Sequence, residues 1–89
     1  MAQLIHQHST RVQTPEGTFF TVRTYGEPDA SGVWQGWLEF APSDTRGPVL
    51  KTDRETTQPS RQALEYWAEG LEPIYFEGAF ARAQVISTR

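Results

Sequence analysis

Apolar and polar residues alternate along two segments of the chain, in the pattern of half-buried β-strands. The segments are residues 18–25 (TFFTVRTY) and 33–40 (VWQGWLEF), and both are rich in β-branched and aromatic side chains. The alternation predicts two strands whose inward side chains are Phe20, Val22, Trp34, Leu38 and Phe40. It places Phe19, Tyr25 and Trp37 on the opposite face.

Turn residues predict how further strands join these two. Residues 14–17 (TPEG) place proline where a type I turn fixes φ, and glycine where the following bulge needs a positive φ. A hairpin is therefore predicted, with residues 9–13 as a weaker strand before the turn. Residues 49–52 are predicted to form a short edge strand, since Pro48 cannot donate to a ladder.

The second half of the chain contains one helical period. Four apolar residues recur at the i, i+3, i+4, i+7 spacing of one buried helix face, namely Leu64, Trp67, Ala68 and Leu71. We predict a helix over residues 59–69, with Pro59 in its first turn and Thr57 or Gln58 as its N-cap. Gly70 is predicted to take the left-handed conformation that often ends a helix.

The residues after Pro73 fit two patterns. Residues 74–78 (IYFEG) have the composition of a strand, whereas residues 77–84 (EGAFARAQ) have that of a helical turn. We predict a short strand over residues 74–77 and a helical tail from about Gly78.

These elements predict an α+β fold in a single domain over residues 1–89. The sheet is an antiparallel β-meander of about four strands, with the main helix (about residues 59–69) packed on one face. The short strand and the helical tail follow. The first eight residues or so can form a flexible segment.

Composition narrows the class of protein. The 89 residues, of which 37% are hydrophobic, are enough for one domain with one core. The absence of cysteine excludes disulfides, thiolate zinc sites and cysteine nucleophiles and fits a reducing compartment, so we predict a cytoplasmic protein. No apolar run approaches the roughly 20 residues of a membrane span, and the N-terminus lacks the apolar core of a signal peptide.

Charge argues against a nucleic-acid partner. The formal net charge is −3, and the acidic and basic residues are spread along the chain. A basic stripe that would neutralise phosphates is not visible in the sequence, so nucleic-acid binding is disfavoured.

Few residues suggest catalytic chemistry. His6 and His8 would share one face of a strand, which can present two imidazoles to one metal ion, but a zinc site needs a third and usually a fourth ligand in fixed geometry, so exposed polar residues are the simpler interpretation. Asp53 and Glu55 flank Arg54 and are interpreted as favourable charges before a helix. Phosphate-binding and nucleophile motifs are absent from the sequence. We predict a non-enzymatic protein without a metal or cofactor.

The start of the predicted helix is a candidate for ligand contact. It carries Arg54, Glu55, Thr56 and Thr57, for which capping and ligand contact remain alternatives. A small-molecule-binding or catalytic domain would need a pocket that gathers Asp53, Arg54 and Glu55 against aromatic walls.

About half of the chain resembles a known bacterial family. The matching positions lead from a strand through a glycine and a threonine into a helix, and they are Phe40, Pro42, Gly47, Val49, Thr52, Thr56, Ala63 and Leu64. This order resembles the central region of HicB-type antitoxin domains. The resemblance implies an antiparallel sheet with a helix across one face, a dimer, and a surface that binds a small toxin nuclease. The proline-glycine-cysteine segment of that family and its C-terminal DNA-binding segment have no counterpart here.

The function expected from these observations is protein interaction. Phe19, Tyr25 and Trp37 form the candidate interaction surface, because aromatic residues outside the core often mark a protein contact. We expect a homodimer or a complex with a small partner protein. The alternatives are an antitoxin-like binder and, third, a small-molecule or catalytic domain.

Overall fold

The computed structural model of the protein describes residues 1–43 and 47–88, which form one antiparallel sheet and two helices. The six strands are β1 (Gln3–Gln13), β2 (Phe19–Pro28), β3 (Trp34–Pro42), β4 (Pro48–Lys51), β5 (Thr56–Gln58) and β6 (Gln84–Thr88). The helices are α1 (Arg61–Glu69) and α2 (Pro73–Arg82). The predicted α+β class with an antiparallel sheet and a helix packed on it is confirmed.

The strand order is β1-β2-β3-β4-β6, and β5 pairs with β3 beyond the end of β4. Between β4 and β5 the chain does not form regular strand pairing with β3. At Thr52 the side-chain hydroxyl takes the place of a backbone carbonyl as hydrogen-bond acceptor. The Thr52 N–H donates to the Leu38 carbonyl (3.0 Å), and the Leu38 N–H donates to Thr52 Oγ1 (3.1 Å). Pairing resumes where the Glu55 N–H donates to the Gly36 carbonyl (2.8 Å), so residues 48–58 follow β3 as one path.

The predicted hairpin at residues 14–17 is confirmed. The Thr14 N–H donates to the Thr18 carbonyl (2.9 Å), and Gly17 has a φ of 94°. Strand β1, however, starts six residues before the predicted residue 9. Two register shifts, between Leu4 and His6 and between Gln7 and Arg11, break its alternation, which is why the sequence pattern there is weak.

The hydrophobic core lies between one face of the sheet and the two helices. Its buried cluster consists of Val12, Val22, Leu38, Phe40, Phe76 and Ala79. Phe20 and Leu71, predicted as core residues, are only partly buried and pack against this cluster. Trp34 was predicted to be buried as well, but it is the first residue of β3 and remains partly exposed at the end of the strand. Trp67 is also only partly buried.

A pair of glycines makes room for the central residue of α1. Gly26 of β2 and Gly36 of β3 are direct neighbours across the sheet, and the fully buried Leu64 lies over both. A Cβ atom would lie 2.4 Å from a Leu64 Cδ at Gly26 and 2.6 Å at Gly36. The close approach of α1 to the sheet therefore depends on the absence of both side chains.

Helix α1 begins later than predicted. Ser60 is its N-cap, and its Oγ accepts a hydrogen bond from the Ala63 N–H (3.1 Å). Thr57 and Gln58, which were predicted as caps, belong to β5. The predicted left-handed conformation of Gly70 is also wrong, because its φ is −87° and the helix closes with an i to i+3 turn.

The predicted order of the C-terminal elements is reversed. Residues 74–77, predicted as a strand, lie inside α2, and the strand β6 follows the helix and pairs with β4. Pro73 lies in the first turn of α2, where a backbone N–H would have no intrahelical partner, so its missing N–H costs no hydrogen bond. Phe76 and Ala79 are buried at i, i+3 spacing, so packing against the sheet outweighs the β-propensity of the segment.

Candidate interaction site on the open face of the sheet

One face of the sheet is not covered by a helix within residues 1–43 and 47–88. We refer to the face away from α1 and α2 as the open face, and its residues include Gln7, Arg11, Phe19, Thr21, Arg23, Tyr25, Glu27, Trp37, Glu39, Ala41, Val49 and Lys51. Phe19, Tyr25 and Trp37, the three residues of the predicted interaction surface, all lie on it. Strand alternation alone accounts for their common side.

Two aromatic rings of the open face are covered by cations from the same face. The Arg11 guanidinium carbon lies 4.4 Å from the centre of the Phe19 ring, and Lys51 Nζ lies 4.6 Å from the Trp37 ring. Trp37 is only 7% exposed, and its Nε1 donates to Glu39 Oε2 (3.1 Å). Trp37 therefore supports the side chains that cover it, and these are the groups within reach of a partner.

A cleft of about 190 Å³ opens near the middle of the open face. Thr21, Arg23 and Tyr25 of β2 form one wall, Glu39 of β3 lies beside them, and Val49 of β4 contributes an apolar wall. The Thr21 hydroxyl donates to the Ala41 carbonyl (3.2 Å), which keeps its lone pairs available as acceptors. The cleft thus combines hydroxyl groups, one cation, one carboxylate and an apolar surface.

Arg23 is oriented by its neighbour on β1. Its Nε donates to Gln7 Oε1 at 2.6 Å, which sets the plane of the guanidinium group. Glu39 is its direct cross-strand neighbour, but within the described residues the two side chains form no ion pair, and the Glu39 carboxylate accepts from Trp37 instead. The terminal nitrogens of Arg23 make no hydrogen bond in that part of the chain. They are donors that a carboxylate can use.

The open face has the opposite charge from the rest of the chain. Among the described residues it carries three bases, Arg11, Arg23 and Lys51, and two acids, Glu27 and Glu39, although the whole chain has eight basic and eleven acidic residues. Glu27, at the end of β2, pairs with the Met1 amino group (3.5 Å). This basic face is not apparent in the sequence because its members are far apart along the chain. Strand parity could have placed Arg23 there, but Arg11 and Lys51 needed the pairing register.

Of the residues predicted at the helix start, Glu55 is held by α2. Its side chain is 8% exposed, and its Oε1 accepts from the Tyr75 hydroxyl (2.5 Å) and pairs with Arg82 (2.6 Å). Burial, followed by the hydrogen bond and charge of Glu55, raises the pKa of Tyr75 to about 12. The Trp67 ring packs edge-on against Tyr75. The Glu55 carboxylate thus joins the segment before β5 to α2.

The other residues predicted at the helix start lie elsewhere than expected. Arg54 and Thr57 are exposed, and Thr56 Oγ1 accepts from Gln58 Nε2 (2.7 Å) within β5. Ser60, not this segment, caps α1. The structure therefore does not bring the four residues together at a helix N-terminus.

The two histidines lie on the core side of β1 and not on an exposed surface. His8 is 8% exposed, its Nε2 lies 2.7 Å from Thr24 Oγ1, and its ring contacts Phe76 at 4.7 Å between centroids. The His6 ring is 4.7 Å away. Burial, with a smaller contribution from His6, lowers the pKa of His8 to about 4, so its imidazole is neutral near pH 7. Within the described residues, no group of three or more metal-binding side chains is found.

Comparisons with known proteins leave the open face as the main functional evidence. Protein-family models, curated proteins and solved structures contain no significant match to this chain. In the part of the chain that the structure describes, no helix has the length and apolar character needed to cross a membrane.

Proposed function

We propose that the protein is a non-enzymatic interaction module that binds another protein through the open face. The observation that carries this proposal is that no helix of residues 1–43 and 47–88 covers this sheet face, and that the side chains of the face are already organised. Two of its cations, Arg11 and Lys51, lie over aromatic rings, and the third, Arg23, is oriented by Gln7 beside the cleft. Side chains held in this way lose little conformational freedom on binding, which favours affinity.

The composition of the open face is that of a protein-binding surface. Aromatic residues and arginine are enriched at such interfaces, and here both lie next to an apolar wall formed by Val49 and Ala41. Trp37 and Phe19 lie beneath cations that can exchange water for a partner's polar groups. The surface therefore differs from the expected one, because Trp37 is largely buried under Lys51 and Phe19 lies beneath Arg11.

The two alternatives from the sequence make different demands on this surface. A homodimer joined by two open faces would place the basic residues of each copy against those of the other. A HicB-like antitoxin whose toxin is a basic nuclease would need an acidic surface, such as the exposed Glu69, Glu72 and Glu77 on and between the helices. A partner held at the open face therefore has a different charge from that expected for a basic toxin.

A photo-crosslinking experiment tests the proposal. The photoreactive residue benzoylphenylalanine replaces Tyr25 in the cleft in one variant and Tyr66, which is 82% exposed on α1, in the control. Both variants are expressed in the native host, illuminated and purified under denaturing conditions. A discrete protein adduct at position 25 that is missing at position 66 is expected. Equal adducts at both positions, or none at position 25, would contradict binding through the open face.

A further inference from the structure

We infer that the partner bound by the open face presents an acidic, extended segment, with one of its carboxylates in the cleft against Arg23. This inference rests on the proposed interaction function and names the chemistry of the partner. It follows from the charge of the face, from the orientation of Arg23 and from the mixture of donors and acceptors in the cleft.

The charge of the open face selects an acidic partner. Arg11, Arg23 and Lys51 outnumber the two acids of the face, Glu39 and Glu27, and Glu27 is paired with the Met1 amino group, whereas the remainder of the chain holds five basic and nine acidic residues. Complementary charge accelerates encounter and suppresses partners of the wrong sign. A second copy of this chain would have to approach with its own basic face, or with its acidic side in a head-to-tail ring or filament.

Arg23 is the group that receives the carboxylate. Because Arg23 donates from Nε to Gln7 Oε1 at 2.6 Å, its terminal nitrogens remain without a hydrogen-bond partner among the described residues, and Arg23 lines the cleft. An arginine fork matches a carboxylate with two parallel hydrogen bonds. The hydroxyl of Tyr25 lines the same cleft and supplies a further hydrogen-bonding group.

Glu39 distinguishes a peptide from a nucleic acid. Its carboxylate lies in the cleft wall beside Arg23, where it accepts hydrogen bonds. A peptide offers backbone N–H donors between its acidic side chains, and these satisfy Glu39. A phosphodiester backbone offers only acceptors, so its phosphates would meet Glu39 with like charge. The cleft of about 190 Å³ is also below the roughly 300 Å³ at which small-molecule pockets usually begin, which suits a single side chain.

NMR titration of the full chain tests this inference. The probes are a capped peptide of alternating glutamate and alanine, its lysine–alanine counterpart, and a single-stranded oligothymidylate of the same length. At about 50 mM salt, the acidic peptide is expected to shift the backbone amides of Thr21, Arg23, Tyr25 and Glu39, and the shifts should weaken at higher salt. The lysine–alanine peptide should leave these amides unchanged.

Two charge-matched variants locate the interaction. Arg23→Gln should weaken binding of the acidic peptide by about tenfold or more, because it removes charge-assisted hydrogen bonds. Arg61→Gln removes the same charge from α1, where the side chain pairs with Glu65, and should leave the affinity within about twofold. Circular dichroism of both variants verifies that they remain folded.

The outcomes separate the inference from the proposed function. The inference is overturned if the acidic peptide causes no shifts at millimolar concentration, if the oligothymidylate binds the same amides more tightly, or if Arg61→Gln weakens binding as much as Arg23→Gln. A crosslink from position 25 to a second copy, or to a partner whose contact segment is basic, would overturn the inference that the partner's segment is acidic. The proposal of protein binding through the open face would then still stand. Absence of any crosslink would instead count against the proposed function itself.

Discussion

The glycine pair beneath α1 makes the packing of the helix on the sheet directly testable. In Gly36→Ala, the new methyl group would lie 2.6 Å from Leu64 Cδ1 and 3.1 Å from Thr56 Cγ2. Leu64 is fully buried, so turning its side chain away would displace packed neighbours. Relief therefore requires the Leu64 side chain to repack or α1 to move away from the sheet.

The expected loss of stability follows from this overlap. Adding a methyl group to a packed core costs about 1–3 kcal/mol, which for a domain of this size lowers the melting temperature by roughly 5–20 °C. Leu64→Ala alone should cost about 2–5 kcal/mol through the cavity that it leaves. In the double variant, the alanine at position 36 enters that cavity, so the combined loss should be smaller than the sum by about 1–3 kcal/mol.

Urea unfolding followed by tryptophan fluorescence and circular dichroism provides the free energies for this double-mutant cycle. Gly78→Ala is the matched control, because a Cβ there meets only Arg82 Nη1 at 3.6 Å in the exposed part of α2. That variant should be more stable than the parent by up to about 1 kcal/mol, since alanine favours a helix over glycine.

Two results would refute the reasoning. If Gly36→Ala unfolds at the parent's urea concentration, Leu64 does not lie over the glycine pair. If the two single losses add within about 0.5 kcal/mol, the two positions do not share the same space.

The buried polar groups make two further predictions. Because the folded state lowers the pKa of His8 to about 4 while the unfolded value is near 6.5, its contribution to stability is complete above pH 6.5 and is lost as the pH falls toward 4. Between about pH 7.5 and 5, the free energy of unfolding in urea should fall by up to about 2 kcal/mol more for the parent than for His8→Gln. Equal pH dependence of the two proteins would contradict the burial of His8. Glu55→Gln should lower the pKa of Tyr75 from about 12 toward 10 in a phenolate absorbance titration. The same substitution should lower the free energy of unfolding by about 1–3 kcal/mol, because Arg82 loses its ionic partner. An unchanged highest tyrosine pKa would show that Glu55 does not act on Tyr75.

The candidate site was predictable from the sequence only in part. The side of the sheet that carries Phe19, Tyr25 and Trp37 follows from alternation along two strands. The coverage of Trp37 by Lys51 does not, because it depends on how β4 pairs with β3. The placement of Gln7 beside Arg23 likewise depends on the register shift between Gln7 and Arg11, which no local pattern reveals.

The sequence by itself determined the strands β2 and β3, the turn at Gly17 and the existence of α1, because alternation, a positive φ and a helical period are local properties. Only the tertiary structure decided that residues 74–77 are helical, since Phe76 gains more from burial against the sheet than its neighbours gain from β-propensity. It also decided where charge accumulates. Residues separated by tens of positions become neighbours through strand pairing, so an acidic chain acquires one basic face.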